Sequence, residues 1–142
     1  MPRLIFVNLP VRDLPRATAF YEAIGAEKNS QFSDDTASCM MFSDAIYVML
    51  LTHSKWRQFD QRPIPDARET CGIMLAISCD SRDAVDEITE KAVNGGTVDP
   101  HAKQDFGFMY ARSFADPDGH VWEPVWMDPA AAEHGPAAFE NA

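Results

Sequence analysis

An α+β fold made of two copies of one βαβββ module is the architecture this sequence predicts, and three observations carry it. A helix-capping aspartate and a helix-stopping glycine recur in each half, Asp13 with Gly25 and Asp83 with Gly95, at a common offset of seventy residues. Short apolar runs with strand-like character surround each helix. A polar segment with two prolines, 53–70, separates the two sets. Internal repetition on this scale marks a pseudo-symmetric fold. One helix per four strands covers one sheet face and leaves the other open. The two modules are expected to form a curved, partly closed mixed sheet around a pocket, with the helices outside.

Each element has a local reason. Leu4 to Leu9 is short and apolar enough for a strand. Asp13 can cap a helix in which Leu14, Ala17, Phe20, Tyr21 and Ile24 recur at helical spacing, and Gly25 stops it. Strand-like runs follow over 26–32, 37–42 and 46–51. The second set restarts with a strand over 73–79 and a helix capped by Ser81 or Asp83, carrying Ala84, Val85, Ile88 and Ala92 and ended by Asn94-Gly95-Gly96. Strands around 97–98, 108–114 and 120–126 complete it. The expected organisation is therefore a first module over 1–52, a connector over 53–70, a second module over 71–127, and a loosely ordered tail rich in alanine, proline and acid over 128–142.

Composition excludes several classes of partner. The 142 residues carry a formal net charge of -10 with no basic stripe, which argues against a nucleic-acid groove or an anionic membrane surface. No segment has the length of a membrane span, and the N-terminus lacks the apolar run and cleavage site of a secretory signal. Three cysteines, Cys39, Cys71 and Cys79, lie in strand-like apolar runs without metal-type spacing, as small hydrophobes in a reducing cytoplasm do. There is no glycine-rich phosphate loop and no nucleophile elbow.

The last strand places one carboxylate among apolar neighbours. Val121, Glu123 and Val125 share one face, while His120, Trp122, Pro124 and Trp126 share the other. A carboxylate in apolar surroundings must be paired, hydrogen-bonded or protonated. Glu123 can pair with an arginine such as Arg112, a backbone amide or water; it can anchor a ligand or act as acid or base; or it can bind a metal. Asn8 can point inward and hydrogen-bond a ligand or be solvated at its strand end. Tyr110 can present its hydroxyl to the cavity or fill the core. His53 and His101 fall in loops and are expected to be exposed. Met40, Met41, Met49, Met74 and Met109 lie in predicted strands, several turned toward the cavity, where flexible thioethers make an adaptable surface.

Phe6-Val7-Asn8-Leu9-Pro10-Val11-Arg12-Asp13-Leu14, then Ala19-Phe20-Tyr21 and Gly25, resembles the first module of the vicinal oxygen chelate superfamily, which includes glyoxalase I, extradiol dioxygenases and bleomycin-resistance proteins. Asp116-Pro117-Asp118-Gly119 followed by a glutamate is similar to the end of its second module. The resemblance spans 1 to about 127. It implies metal ligands at inward positions of the first and last strands of each module, and those positions hold Phe6, Met49, Met74 and Glu123 here. One carboxylate is short of the three or so oxygen or imidazole donors a divalent metal needs.

The implied expectation is a metal-free protein without cofactor that binds a small hydrophobic or aromatic molecule, as in bleomycin-resistance-like sequestration. Glu123 is the candidate catalytic or anchoring group, and Phe6, Asn8, Met49, Met74, Met109, Tyr110 and Arg112 are candidate ligand contacts. The alternative is a lyase or isomerase of the glyoxalase I type, or an extradiol-type dioxygenase, with zinc, nickel or iron and Glu123 among the ligands. The superfamily's pairing of modules implies a homodimer.

Overall fold

A computed structural model describes residues 2–135. The chain forms two compact units: residues up to Gly72 together with Asp116–His120, and Ile73–Ala115 together with the chain from Val121 onward. The architecture is mixed α+β, with one sheet of four strands and one of five, neither closed into a barrel.

In the first unit, β1 (Ile5–Val11) leads to α1 (Leu14–Ala23), β2 (Glu27–Lys28), β3 (Ala37–Met41), β4 (Ile46–Thr52) and a short α2 (His53–Arg57). The strand order is β1-β4-β3-β2, with β1 parallel to β4 and the other pairs antiparallel. Asp13 caps α1 by accepting from the Arg16 N–H at 3.1 Å. Leu14, Ala17, Thr18, Phe20 and Tyr21 are buried on the face turned to β3 and β4. Fully burying a side chain such as Leu14 or Phe20 contributes about 1.5–3 kcal/mol. The Thr18 and Ser38 hydroxyls meet under the helix at 2.7 Å. That contact puts Ser38 and Met40 on the helix side of β3, so Met40 belongs to the core and not to the open face.

The strand expected over 26–32 pairs for only two residues. The Asn29 side chain accepts from the Gln31 N–H at 3.1 Å and turns the chain into a single 3-10 turn at Ser30–Phe32, a local bond that competes with the ladder. The expected connector likewise contains α2, because the Thr52 hydroxyl caps the Lys55 N–H at 3.2 Å.

The Asp116–His120 turn, encoded in the second half, is packed into the first unit. The Tyr21 hydroxyl donates to Asp116 Oδ2 at 2.7 Å, while the Asp118 and His120 amides donate to Asp116 Oδ1 at 2.9 Å each. Asp118 Oδ1 accepts from the Arg12 amide at 2.9 Å, and the His120 Nε2 lies 2.8 Å from the Pro10 carbonyl oxygen. Gly119 has φ +95°, and a Cβ there would lie 2.6 Å from the Arg68 nitrogen.

The second unit runs β5 (Met74–Ser78), α3 (Arg82–Asn94), β6 (Gln104–Asp105), β7 (Met109–Ala111), β8 (Phe114–Ala115), β9 (Val121–Met127) and α4 (Pro129–His134). The order is β5-β9-β7-β6, with β8 also on β9 and β5 parallel to β9. Ser81 caps α3, and Val85, Thr89 and Ala92 are its buried stripe. The constant offset between halves does not hold. The helices have 10 and 13 residues, their caps are Asp13 and Ser81, and Gly25 is matched in its left-handed φ by Gly96, not Gly95.

Three further expectations change. The strand over 108–114 is split into β7 and β8. Arg112 donates its N–H to the Pro124 carbonyl at 3.2 Å, but Pro124 has no N–H to return, so the ladder lapses there. Thr97–Val98 does not form a strand: Val98 contributes one carbonyl bond to the Ala115 amide at 3.1 Å, and β6 pairs with β7 instead. The tail expected to be loose contains α4 over 129–134, capped by Asp128 with Ala131 buried; residues 136–142 lie outside the described residues.

Candidate functional site

Register decides which side chains share the open face of each sheet. In the first unit Phe6 lies opposite Tyr47, Asn8 opposite Met49, and Cys39 also opposite Met49. Phe6, Asn8 and Met49 therefore share the face away from α1. The Phe6 ring stacks on Tyr47 with centroids 4.8 Å apart, and Phe6 is 53% exposed. In the second unit Met74 lies opposite Val121 and Ala76 opposite Glu123, on the face away from α3. Phe6 and Met74 each stand seven residues ahead of their helix cap (6 to 13, 74 to 81), so Met49 and Glu123 are equivalent positions. Of these four, Glu123 alone carries a hard donor.

Glu123 opens on a cavity of about 300 Å3 in the second unit, with Met74, His101, Gln104, Ala111 and Ser113 around it. Its side chain is 29% exposed, and its Oε1 lies 3.9 Å from His101 Nδ1. That is too long for a hydrogen bond, and among the described residues the carboxylate makes no other polar contact. Around it, Ala76, Val121, Val125 and Ala111 keep the face apolar.

Arg112 borders this cavity but does not pair with Glu123. Its Nη1 lies 2.7 Å from Glu90 Oε1 and 3.1 Å from Asp86 Oδ1, and its Nη2 lies 3.7 Å from Asp99 Oδ2. The reason is alternation: Tyr110 and Arg112 project toward α3, where Asp86 and Glu90 stand one turn apart. The Tyr110 hydroxyl donates to Asp86 Oδ1 at 2.6 Å, so it is turned away from the Glu123 cavity. This bond, with Arg112, holds the Asp86 carboxyl below the usual carboxylate range, and Asp86 in turn raises the Tyr110 phenol. Burial opposes the Arg112 charge, but Glu90 and Asp86 together raise its pKa. Met109 is half-buried opposite Met127 on the Glu123 side of the sheet, outside the cavity.

His101 lies in a loop and is exposed, as its place in the sequence predicts, and Ser113 brings it to the site. The buried Ser113 hydroxyl donates to Asp99 Oδ1 at 2.7 Å and accepts the His101 N–H at 3.0 Å. Nothing in the sequence pairs residues 101 and 113; only the fold of the 99–104 segment does. His53 is half-buried, and burial with nearby Arg12 lowers its pKa. A second cavity, of about 380 Å3, lies in the first unit between Asn8, Leu51, Trp56, Phe59 and Asp60.

A carboxylate and an imidazole facing one small cavity can bind a hydrogen-bond donor or exchange a proton with it. They do not make a metal site. Among the described residues no group of three or more His, Cys, Asp and Glu side chains is placed to hold one ion, so the donor set does not fit a divalent metal. No helix among the described residues is long and apolar enough to cross a membrane.

Comparison with known proteins places this architecture. A hypothetical protein from S. aureus, SA1046, is similar in structure with a TM-score of 0.74 at 21% identity, over 89% of this chain and 94% of that one. A glyoxalase/bleomycin resistance protein/dioxygenase family enzyme from Burkholderia phytofirmans PsJN has a TM-score of 0.75 at 17% identity, over 89% and 99%. The fosfomycin resistance protein FosX from Listeria monocytogenes has a TM-score of 0.63 at 22% identity, over 89% and 91%. At these identities the likeness is one of fold. No curated protein matches the sequence. Residues 3–123, most of the chain, match the Glyoxalase/Bleomycin resistance protein/Dioxygenase superfamily, and this chain belongs to it.

Proposed function

We propose that this protein binds a small hydrophobic or aromatic molecule without a metal, with Glu123 as the polar anchor and Met74 and Ala111 as apolar walls. The observation that carries the reading is the donor count: Glu123 faces a cavity with a single imidazole near it, on an otherwise apolar sheet face. A carboxylate left without a protein hydrogen bond on such a face is stabilised by a ligand that donates to it. The family name includes bleomycin resistance and one similar structure is a fosfomycin resistance protein, which supports a foreign small molecule as the ligand. Cys39 and Cys79 carry free thiols, which supports a reducing cytoplasm.

A second copy of the chain completes the reading. β1 and β5 are edge strands of their sheets, and Ile5, Phe6 and Met74 on them are all more than half exposed. Edge strands of this kind are normally covered, and a homodimer covers them.

One observation favours an enzyme instead. An imidazole 3.9 Å from a carboxylate is an acid/base pair, as a lyase, isomerase or dioxygenase on this fold would use with a metal. The deciding experiment is metal analysis of protein purified without a histidine tag, with thermal-shift titrations of zinc, nickel, manganese and iron(II). Binding is then followed with N-phenyl-1-naphthylamine, a neutral aromatic fluorophore with one N–H. The expected result is no stoichiometric metal, no saturable shift, and fluorophore binding weakened about tenfold in Glu123→Gln with folding intact. Near-stoichiometric metal, or a saturable stabilisation at low concentration, would replace this reading with the enzymatic one.

A further inference from the structure

The cavity of the first unit is built differently from the one around Glu123. Trp56 comes from α2 and Phe59 from the turn that follows it; Asn8 comes from the edge strand β1, and Leu51 from β4. Phe59 is 73% exposed beside the half-buried Trp56, so two aromatic rings border about 380 Å3 of open space. The Phe59 ring already receives the Lys55 ammonium, 5.5 Å from its centroid. The Asn8 side chain makes no hydrogen bond among the described residues, and it stands beside Leu51 and Met49 on the open sheet face. An asparagine amide presents one acceptor and two donors side by side. Asp60 adds an acceptor whose ionised form is held by Arg62, which takes both carboxylate oxygens and brings its pKa down to about 2.

Aromatic rings recognise a flat molecule by stacking, and a free amide beside them recognises an edge with an acceptor next to a donor. We propose that this cavity is a binding site for a planar, uncharged aromatic amide or amide-like heterocycle, stacked on Trp56 and Phe59 and paired through its donor–acceptor edge with Asn8. The site is carried by residues of the first unit alone. The ionised Asp60 accepts an N–H from such a ligand and disfavours an aromatic acid in the same place.

Benzamide and nicotinamide are the probes, with acetophenone as the control that keeps the ring and acceptor but lacks the donor. Binding is measured by calorimetry and by quenching of tryptophan fluorescence. The expected result is saturable binding of both amides, about tenfold tighter than acetophenone. Asn8→Ala should erase that difference, Phe59→Ala should weaken every probe, and Trp56→Phe should remove the quenching. Asn8 and Phe59 are exposed, so these variants should keep the wild-type circular dichroism and melting temperature. The same affinities in Glu123→Gln would place the amides outside the Glu123 cavity. Equal affinity for benzamide and acetophenone, binding that survives Asn8→Ala with Phe59→Ala, or binding lost in Glu123→Gln would overturn the proposal.

Discussion

At the scale of single residues, Gly119 and Glu123 show opposite kinds of constraint four positions apart. Gly119 is fixed by backbone geometry: φ is +95°, and a Cβ would meet the Ala67 and Arg68 backbone at 2.6–2.7 Å. Neither conflict is relieved by moving a side chain. Gly119→Ala is therefore expected to cost at least about 2 kcal/mol, read as a lower midpoint in urea, whereas Gly72→Ala, with nothing within 4 Å of its Cβ, should leave the midpoint nearly unchanged. An unaltered midpoint in Gly119→Ala would mean that the 66–68 segment is free to retreat. Glu123 has the reverse character, with few protein partners and open space ahead of it. Its neighbour Arg112 illustrates how charge is allocated: three carboxylates of the α3 side compete for it, and the nearest, Glu90 and Asp86, win over Glu123 by alternation alone.

At the scale of elements, α3 is the frame on which the Glu123 sheet is built. It covers the Trp122 side of β9, where Trp122 is 1% exposed, so Glu123 is left on the opposite side. Its start is fixed twice, by Ser81 Oγ accepting the Ala84 N–H at 3.0 Å and by Arg82, whose guanidinium forks onto Asp105 and lies over Tyr110 and Trp126 at 5.2 and 5.1 Å. Ser81→Ala removes one cap and should cost about 1 kcal/mol, a fall of about 2–4 °C in melting temperature, with Ser81→Asp restoring it. If Ser81→Ala melts like the parent, Asp83 or a shifted start has replaced the cap.

At the scale of the molecule, acid stability and assembly are the two tests. Asp34, Asp60, Asp66, Asp86 and Asp105 all have folded pKa values below 3.8, chiefly through hydrogen bonds from Thr36, Arg62, Arg68, Tyr110 and Arg82 respectively, and Asp60 and Asp105 are brought to about 2. A depressed carboxylate stabilises the fold above its unfolded pKa, and that contribution is lost as pH falls through the folded value. Asp116 has the opposite sign. Burial raises its pKa against the nearby His120 and the Tyr21 hydroxyl, so its contribution is present below 3.8 and lost as pH rises through the raised value. Five groups against one predict a melting temperature that falls from about pH 4 to pH 2, by a modest amount because water screens these surface pairs; a rise there would contradict the pairings. For assembly, sedimentation velocity should give a dimer, and Phe6→Lys on the exposed edge should shift it toward monomer. A parent that sediments as a monomer at high concentration would refute the homodimer.

The sequence by itself determined the α+β class, the family, and the two helices with the buried face of the first. These follow from periods of 3.6 and 2 and from local caps, which are properties of neighbours in the chain. Tertiary structure alone decided the rest. The Asp116–His120 turn packs with Arg12 and Tyr21, about a hundred positions earlier. Ser113 draws His101 toward Glu123, α3 takes Arg112, and the missing N–H of Pro124 splits a strand. Such outcomes depend on which distant donor reaches an acceptor first and at what distance. No local periodicity encodes that choice, because it is made only when the strands have found their register.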